Sequence, residues 1–426
     1  MTNGSSTEIY TRRESNARSY CRAFPVTFTS ARNATLPDSA GRQYIDFLSG
    51  CSSLNYGHND ADMKAALIEH ISADGVAHGL DMHTDAKAAF LESFERLILK
   101  PRGMDYKFMF TGPTGTNAVE AAMKLARKTT GRESIIAFTN GFHGMTMGAL
   151  AATGNAGKRA GGGMALNGVV RMPYEGAIEG VDSLALIRAM LENPSSGIDA
   201  PAAFLIEPVQ GEGGLNAASP TFLKGLEALA REHGALIIMD DIQAGIGRAG
   251  PFFSFEGMGI KPDLVPLAKS LSGMGLPMAG LLIRPDLDTW KPAEHNGTFR
   301  GNNHAFVTAR VALEKFWSND SFQRRTEARA TYLTRRLQGI AAQVPGATLK
   351  GRGMMQGVDV GSGDLAAAIC ATCFDNGLII ETSGAHDEVV KVLAPLTIPQ
   401  EQFESGLNIL ESAVQAHSAS TQIAAE

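Results

Sequence analysis

Three polar residues in this chain each close an apolar run: Glu207 in PAAFLIE, Asp240 in ALIIMD and Lys269 in DLVPLAK. Short apolar runs bounded by turn residues read as buried strands. In an open α/β sheet, ligands bind at the carboxyl edge of such strands. A lysine held there and partly desolvated loses the stabilisation of its ammonium and becomes an amine nucleophile toward a carbonyl. A carboxylate at the end of a buried strand is expensive unless a cation or donor meets it. Glu212 follows Glu207 after a short loop, and Gln243 lies just beyond Asp240 and Asp241.

The stretch KFMFTGPTGTNAVEAAMKLARKTTGR, residues 107 to 132, supplies a different chemistry. A short strand runs through a Gly/Pro/Thr turn into an amphipathic helix with Val119, Met123 and Ala126 on one face. Glu120 and Lys124 have the spacing of a supporting ion pair. Thr114 is the expected N-cap, and Gly115 and Thr116 open the first turn. Exposed amides there, with the helix dipole, make an anion site to which Thr116 adds a hydroxyl. A capped helix without a ligand is the other reading. No lysine follows as a P-loop needs, which disfavours a nucleotide triphosphate. Phe142 and His143, between glycines after the strand SIIAF, sit where an aromatic face could cover a planar ligand; alternatively Phe142 plugs the core.

An amine nucleophile, a buried acid and an anion cradle together describe a site for pyridoxal 5′-phosphate. The lysine condenses with the aldehyde, the acid keeps the pyridine nitrogen protonated, and the helix terminus holds the phosphate. A GxGxxG at Gly245 to Gly250 suggests a nicotinamide-dependent oxidoreductase instead. It is followed by Pro251, Phe252 and Phe253 rather than a helix, so it does not read as a dinucleotide fingerprint.

The elements that must position these groups belong to a large α/β chain. Its 426 residues are 44% hydrophobic and 19% charged, which suits a globular protein dividing into more than one lobe. The formal net charge of −6 argues against nucleic acid as a partner. No apolar stretch approaches a membrane span and the polar N-terminus has no signal-like region, so neither a membrane nor export is expected and the location reads as cytoplasmic. Cys21, Cys51, Cys370 and Cys373 make no disulfide framework. The CxxC at Cys370 and Cys373 cannot close a four-ligand zinc site and reads as a packed helix, so no metal is expected. In IDFLSGCSSLNYGH the loop histidine His58 reads as satisfied locally. Residues 1 to about 15 and the last ten, HSASTQIAAE, read as frayed. Beyond residue 306 long helices and shorter strands indicate a second α/β lobe.

From about Ile45 to Leu396 the sequence resembles the class III (ornithine/4-aminobutyrate-type) aminotransferases. The carriers are TGPTGTNAVEAA, TNGFHGMTMGAL, EPVQGEGG, LIIMDDIQAGIGRAG and LAKSLSG. The resemblance implies the fold type I of pyridoxal-phosphate-dependent transferases. That means an N-terminal segment (1–59) packing with the small domain, a large cofactor-binding domain (60–305) with a mostly parallel central sheet, and a small C-terminal α/β domain (306–426). Lys269 would bind the cofactor covalently, Asp240 would face the pyridine nitrogen, and Gln243 would donate to the cofactor's 3-oxygen. Phe142 would stack on the ring beside His143, Gly115 and Thr116 would bind the phosphate, and Thr298 would reach the phosphate of a neighbouring subunit. A homodimer acting on small amino and keto acids follows. Glu207 and Glu212 would face substrate. The family arginine that pairs with Glu212 and grips a keto-acid carboxylate is expected at KGRG, where Lys350 stands and Arg352 follows; a lysine gives a point charge in place of a fork. The implied reaction takes L-glutamate and L-aspartate 4-semialdehyde to L-2,4-diaminobutyrate and 2-oxoglutarate, for ectoine or another diaminobutyrate-derived product. Another ω-aminotransferase, a racemase or an aminomutase keeps the same cofactor.

Overall fold

The computed structural model describes residues 7–423, with side chains through residue 418. Two short strands come first, β1 (Thr35–Pro37) and β2 (Gln43–Asp46). The chain then lays down β3 (Lys107–Phe110), β4 (Ile135–Phe138), β5 (Val169–Met172), β6 (Ala203–Ile206), β7 (Leu236–Met239), β8 (Leu264–Leu267) and β9 (Gly280–Ile283). These seven form one sheet in the order β3-β9-β8-β7-β6-β4-β5. From β5 to β8 every pairing is parallel, whereas β9 runs antiparallel to both β8 and β3. The ends of β3, β4, β6, β7 and β8 therefore open on the same edge.

Every residue of β4, β6, β7, β8 and β9 is buried, as expected of strands covered on both faces. On one face lies the helix Gly115–Thr130, whose broad alanine-rich stripe includes Ala118, Val119, Ala122, Met123 and Ala126. The small side chains let it lie close to β8 and β9. Pro266 in β8 has no amide to give, and the β7–β8 ladder shrinks to the pair Ile238 and Leu264.

The remaining strands are β10 (Thr348–Arg352), β11 (Met355–Asp359), β12 (Leu378–Ile379), β13 (Glu381–Ser383) and β14 (Val389–Val392). A four-stranded antiparallel sheet has the order β10-β11-β14-β13. β12 instead pairs in parallel with β2, so the N-terminal strands join a C-terminal one. The helix Asn303–Phe316, which spans the expected boundary near residue 306, packs against the helices Ala61–Ser72 and Asp85–Phe94. The cysteines of the CxxC lie on the helix Gly363–Asp375, with Cys373 buried.

Arg248 ties distant pieces together. It is fully enclosed and donates to Asn55 Oδ1 at 2.7 and 3.1 Å, to the Met354 carbonyl at 3.1 Å and to the Ala394 carbonyl at 2.7 Å. His58 bonds Asp46 Oδ2 at 2.9 Å, the local satisfaction its loop position suggested. The chain ends are more ordered than their composition implied. Glu8–Arg13 is helical, and the final helix runs Gln400–Ile423 through most of HSASTQIAAE. Residues 1–6 and 424–426 lie outside the described residues. Among the described residues no helix is long and apolar enough to cross a membrane.

Candidate active site

A cavity of about 420 Å³ opens at the carboxyl edge of the large sheet. Lys269 stands in it, just past β8, with a backbone φ of +52°. A non-glycine residue in the left-handed region is uncommon and persists where its surroundings over-determine it. Here the following turn is pinned from outside. Ser270 Oγ donates to the Ser52 carbonyl at 2.7 Å and accepts from Asn55 N at 2.8 Å, while Thr308 Oγ1 donates to the Ser272 carbonyl at 2.7 Å. Burial lowers the Lys269 pKa, opposed by Cys51, Glu212 and Asp240 nearby. A lysine so placed holds a larger neutral fraction than a solvated one.

β6 and β7 deliver Glu207 and Asp240 to the same cavity. Asp240 Oδ2 accepts from His143 Nδ1 at 2.7 Å and Oδ1 from Ile242 N at 3.2 Å. Burial would drain the His143 proton, but Asp240 outweighs it and the imidazole pKa rises. Glu207 accepts from the amides of Phe142 at 2.9 Å and Gly211 at 3.2 Å, which fixes the loop carrying Phe142. Burial pushes the Glu207 carboxyl up to about 7, against the pull of His143. The neighbouring Asp241 takes a structural part, accepting from Ser254 N and its hydroxyl.

The helix start has part of the geometry of an anion site. Gly115 and Thr116 line the cavity, and among the described residues no protein acceptor meets their amides. Thr114 occupies the N-cap position, but its hydroxyl donates to Asn117 Oδ1 at 2.8 Å and caps no amide. The Glu120–Lys124 pair does not form. Glu120 Oε1 accepts from Thr146 Oγ1 at 2.7 Å and Ala149 N at 3.0 Å, which holds the 141–146 loop against the helix; Lys124 donates to the Glu294 carbonyl instead. Gly144, at φ +133°, lies where a Cβ would fall 2.2 Å from Thr116 Oγ1.

Glu212 and Lys350, expected as partners, are not paired in this structure. Lys350 lies on the edge strand β10 and donates to Asn216 Oδ1 at 2.8 Å, outside the cavity. Glu212, which does line the cavity, accepts from Lys391 Nζ at 3.1 Å. Lys391 is fully buried on β14 and also meets Glu381 at 2.9 Å. Arg352, two residues on from Lys350, points to the Ser254 carbonyl at 2.7 Å. Gln243 lines the cavity and donates through Nε2 to Glu212 at 3.1 Å. Thr298 begins an exposed turn, Thr298–Gly301, away from this cavity. Sequence reasoning missed Lys391, Glu381 and the contact of Tyr20 hydroxyl with Cys51 Sγ at 2.8 Å. The signal for the first two is a hairpin, ETSGAHDEVVK, that sets an acid opposite a lysine.

The residues fit pyridoxal phosphate: unpaired amides for a phosphate, a buried carboxyl bonded to a histidine, a buried lysine amine, and Phe142 at the cavity wall. The chain belongs to the class III aminotransferases, whose family model matches residues 16–414. Among its relatives, the diaminobutyrate–2-oxoglutarate transaminase of Vibrio cholerae is 56% identical over 95% of this chain and 98% of its own. That of Halomonas elongata is 54% identical over 96% of this chain and 99% of its own. The ornithine aminotransferase of Toxoplasma gondii, solved with partial occupancy of PLP at its active site, superposes with a TM-score of 0.81. It is 26% identical and covers 97% of this chain and 95% of its own.

Proposed function

We propose that this site binds pyridoxal 5′-phosphate and transfers the amino group of L-glutamate to L-aspartate 4-semialdehyde, giving L-2,4-diaminobutyrate and 2-oxoglutarate. The observation that carries the chemistry is the meeting of Lys269, Asp240–His143 and the free amides of Gly115 and Thr116 in one cavity. The names of the relatives at 54% and 56% identity support the substrates. When bound, the cofactor supplies an aldehyde that takes up the amino group and a ring that draws in the electron pair left as a substrate C–H bond breaks.

The chain's own residues do the rest. Gly115 and Thr116 amides, at the positive end of their helix, hold the phosphate. Asp240, oriented by His143, keeps a proton on the ring nitrogen by offering it a buried anion. Phe142, whose amide is held by Glu207 and whose ring carries the Lys158 ammonium at 5.4 Å, would cover the cofactor ring. Lys269 would carry the proton on and off the substrate carbon as general base and acid. Gln243, whose Nε2 donates to Glu212 at 3.1 Å, would offer an amide to the cofactor's 3-oxygen. Lys391, freed from Glu212, grips the α-carboxylate of the dicarboxylic partner.

Thr298, exposed on its own chain, reaches the phosphate of a second copy, so the working unit is a homodimer in the cytoplasm. Within it, the cofactor domain expected at 60–305 is built on the seven-stranded sheet, and β1, β2 and β10 to β14 belong to the smaller one. The diaminobutyrate feeds ectoine or a related product. Incubating the purified protein with pyridoxal phosphate, glutamate and the semialdehyde should yield diaminobutyrate in step with 2-oxoglutarate. Borohydride reduction should leave a pyridoxyl group on the Lys269 peptide. A tag on another lysine, or no amino acid product, refutes the reading.

A further inference from the structure

Lys391 is enclosed between two carboxylates, Glu212 at 3.1 Å and Glu381 at 2.9 Å. Glu381 and Lys391 face each other across the β13–β14 ladder. Two acids around one lysine leave one carboxylate without a cation of its own. Despite burial, Lys391 and Lys269 bring Glu212 down to about 2, whereas burial pushes Glu381 up. Glu212 also accepts from Gln243 Nε2 at 3.1 Å, whereas among the described residues Glu381 has no such amide donor, so Glu381 is the surplus acid.

Besides Lys391, Glu381 meets only the weak Cys51 thiol donor at 3.8 Å among the described residues, and two buried oxygens of neighbouring segments lack a partner. Gln243 Oε1 has no partner, although its nitrogen is bonded to Glu212 and only 7% of the residue is exposed. Ser383 Oγ, two residues from Glu381 and so on the same face of β13, is also unpartnered in a residue 3% exposed. Gly384 N donates to the Glu212 carbonyl at 3.1 Å and ties the end of β13 to the cavity wall. A buried carboxylate beside unpaired oxygens is unfavourable unless a ligand brings donors and positive charge. An ammonium group brings both.

We propose that Glu381 is a specificity-determining residue that receives the α-ammonium of an α,ω-diamino acid whose α-carboxylate lies on Lys391. The Lys391–Glu381 pair then reads a zwitterionic amino-acid head while the far amine is presented to Lys269. This deepens the aminotransferase reading above and rests on it. Glu381→Gln removes the surplus charge and leaves Lys391 paired with Glu212, so the fold survives.

The test compares L-2,4-diaminobutyrate with 4-aminobutyrate, which has the same chain, ω-amine and carboxylate but no α-ammonium. In single-turnover reactions of the holoenzyme, Glu381→Gln should lower kcat/KM for diaminobutyrate by roughly 10- to 100-fold, the loss of one charge-assisted hydrogen bond. The loss should fall in KM. 4-Aminobutyrate should be unchanged or improved, and L-glutamate should stay within about three-fold. Equal losses for all three donors, or none for diaminobutyrate, overturn the proposal. Should the variant not fold, the unaltered protein decides. It should prefer diaminobutyrate to 4-aminobutyrate by at least about ten-fold, and a ratio near one overturns the assignment. Failure of the underlying reading looks different, because the unaltered holoenzyme would then turn over none of these donors.

Discussion

Replacing Lys391 by methionine keeps much of its volume and removes a cation that two carboxylates share. In the structure its Nζ lies 3.1 Å from Glu212 and 2.9 Å from Glu381, with no exposed side-chain surface. Breaking a buried pair by taking one partner away costs about 3–5 kcal/mol, because the remaining charge stays buried and unpaired. The variant Lys391→Met should lose about that much stability at pH 8. Adding Glu212→Gln and Glu381→Gln should restore most of it, since all three charges are then gone. The pH dependence has a definite sign. Glu212 is now held at about 2, below its ordinary 4.5, so it contributes stability above pH 4.5 that is lost as pH falls toward 2. Without Lys391, burial raises both carboxyls instead. Their contribution is then greatest below the ordinary carboxylate range and is lost as pH rises through their raised values. The deficit of the single variant should therefore be smaller at pH 5 than at pH 8. Thermal midpoints of parent, single and triple variants at both pH values measure this. A single variant as stable as the parent, or a triple variant no better than the single, would refute the reasoning.

Three further outcomes follow from the same coordinates. Gly144→Ala puts a methyl 2.2 Å from Thr116 Oγ1 at a φ of +133°, so the loop must shift off the helix start; affinity for pyridoxal phosphate, read by fluorescence titration, should fall at least about ten-fold. Glu120→Ala removes the acceptor for Thr146 Oγ1 and Ala149 N and should destabilise by about 1–3 kcal/mol, seen as a lower thermal midpoint. Lys350→Ala gives up only a bond to Asn216 and should move KM for 2-oxoglutarate by less than about two-fold, whereas Lys391→Ala should raise it more than about ten-fold; equal effects would return the carboxylate grip to Lys350.

The strand ends were legible because a fully buried strand announces itself by an uninterrupted apolar run, and its closing polar residue marks the sheet edge. That is how Glu207, Asp240 and Lys269 could be placed together before any coordinates. Gly115 and Thr116 were legible for a similar reason, as the first turn of a strongly amphipathic helix. The Glu120–Lys124 pair failed because local spacing cannot know that Thr146 offers a hydroxyl and Ala149 an amide from another loop. Lys391 was hidden by its own surroundings. In VVKVLAPL it looks like the one polar residue of a strand, and the usual fate of such a lysine is solvent. Only the hairpin register, which sets Glu381 against it, and the approach of Glu212 from the other sheet's edge make its burial tolerable. Lys350 is the expected partner only through the family arginine that begins the corresponding motif, and its strand is the outermost of four.

The bonds of Arg248 bear on how the molecule comes into being. Arg248 lies between β7 and β8 in the chain, yet one of its acceptors, the Ala394 carbonyl, is 146 residues further along. While a ribosome is still making that stretch, the nascent large sheet must either keep Arg248 hydrated or bury a naked cation. Hydration is far less costly, so the final closure around it waits for β14 and the loop beyond. Cutting the gene between the lobes would then give fragments that stay open at this point, and activity would return only when both are synthesised together.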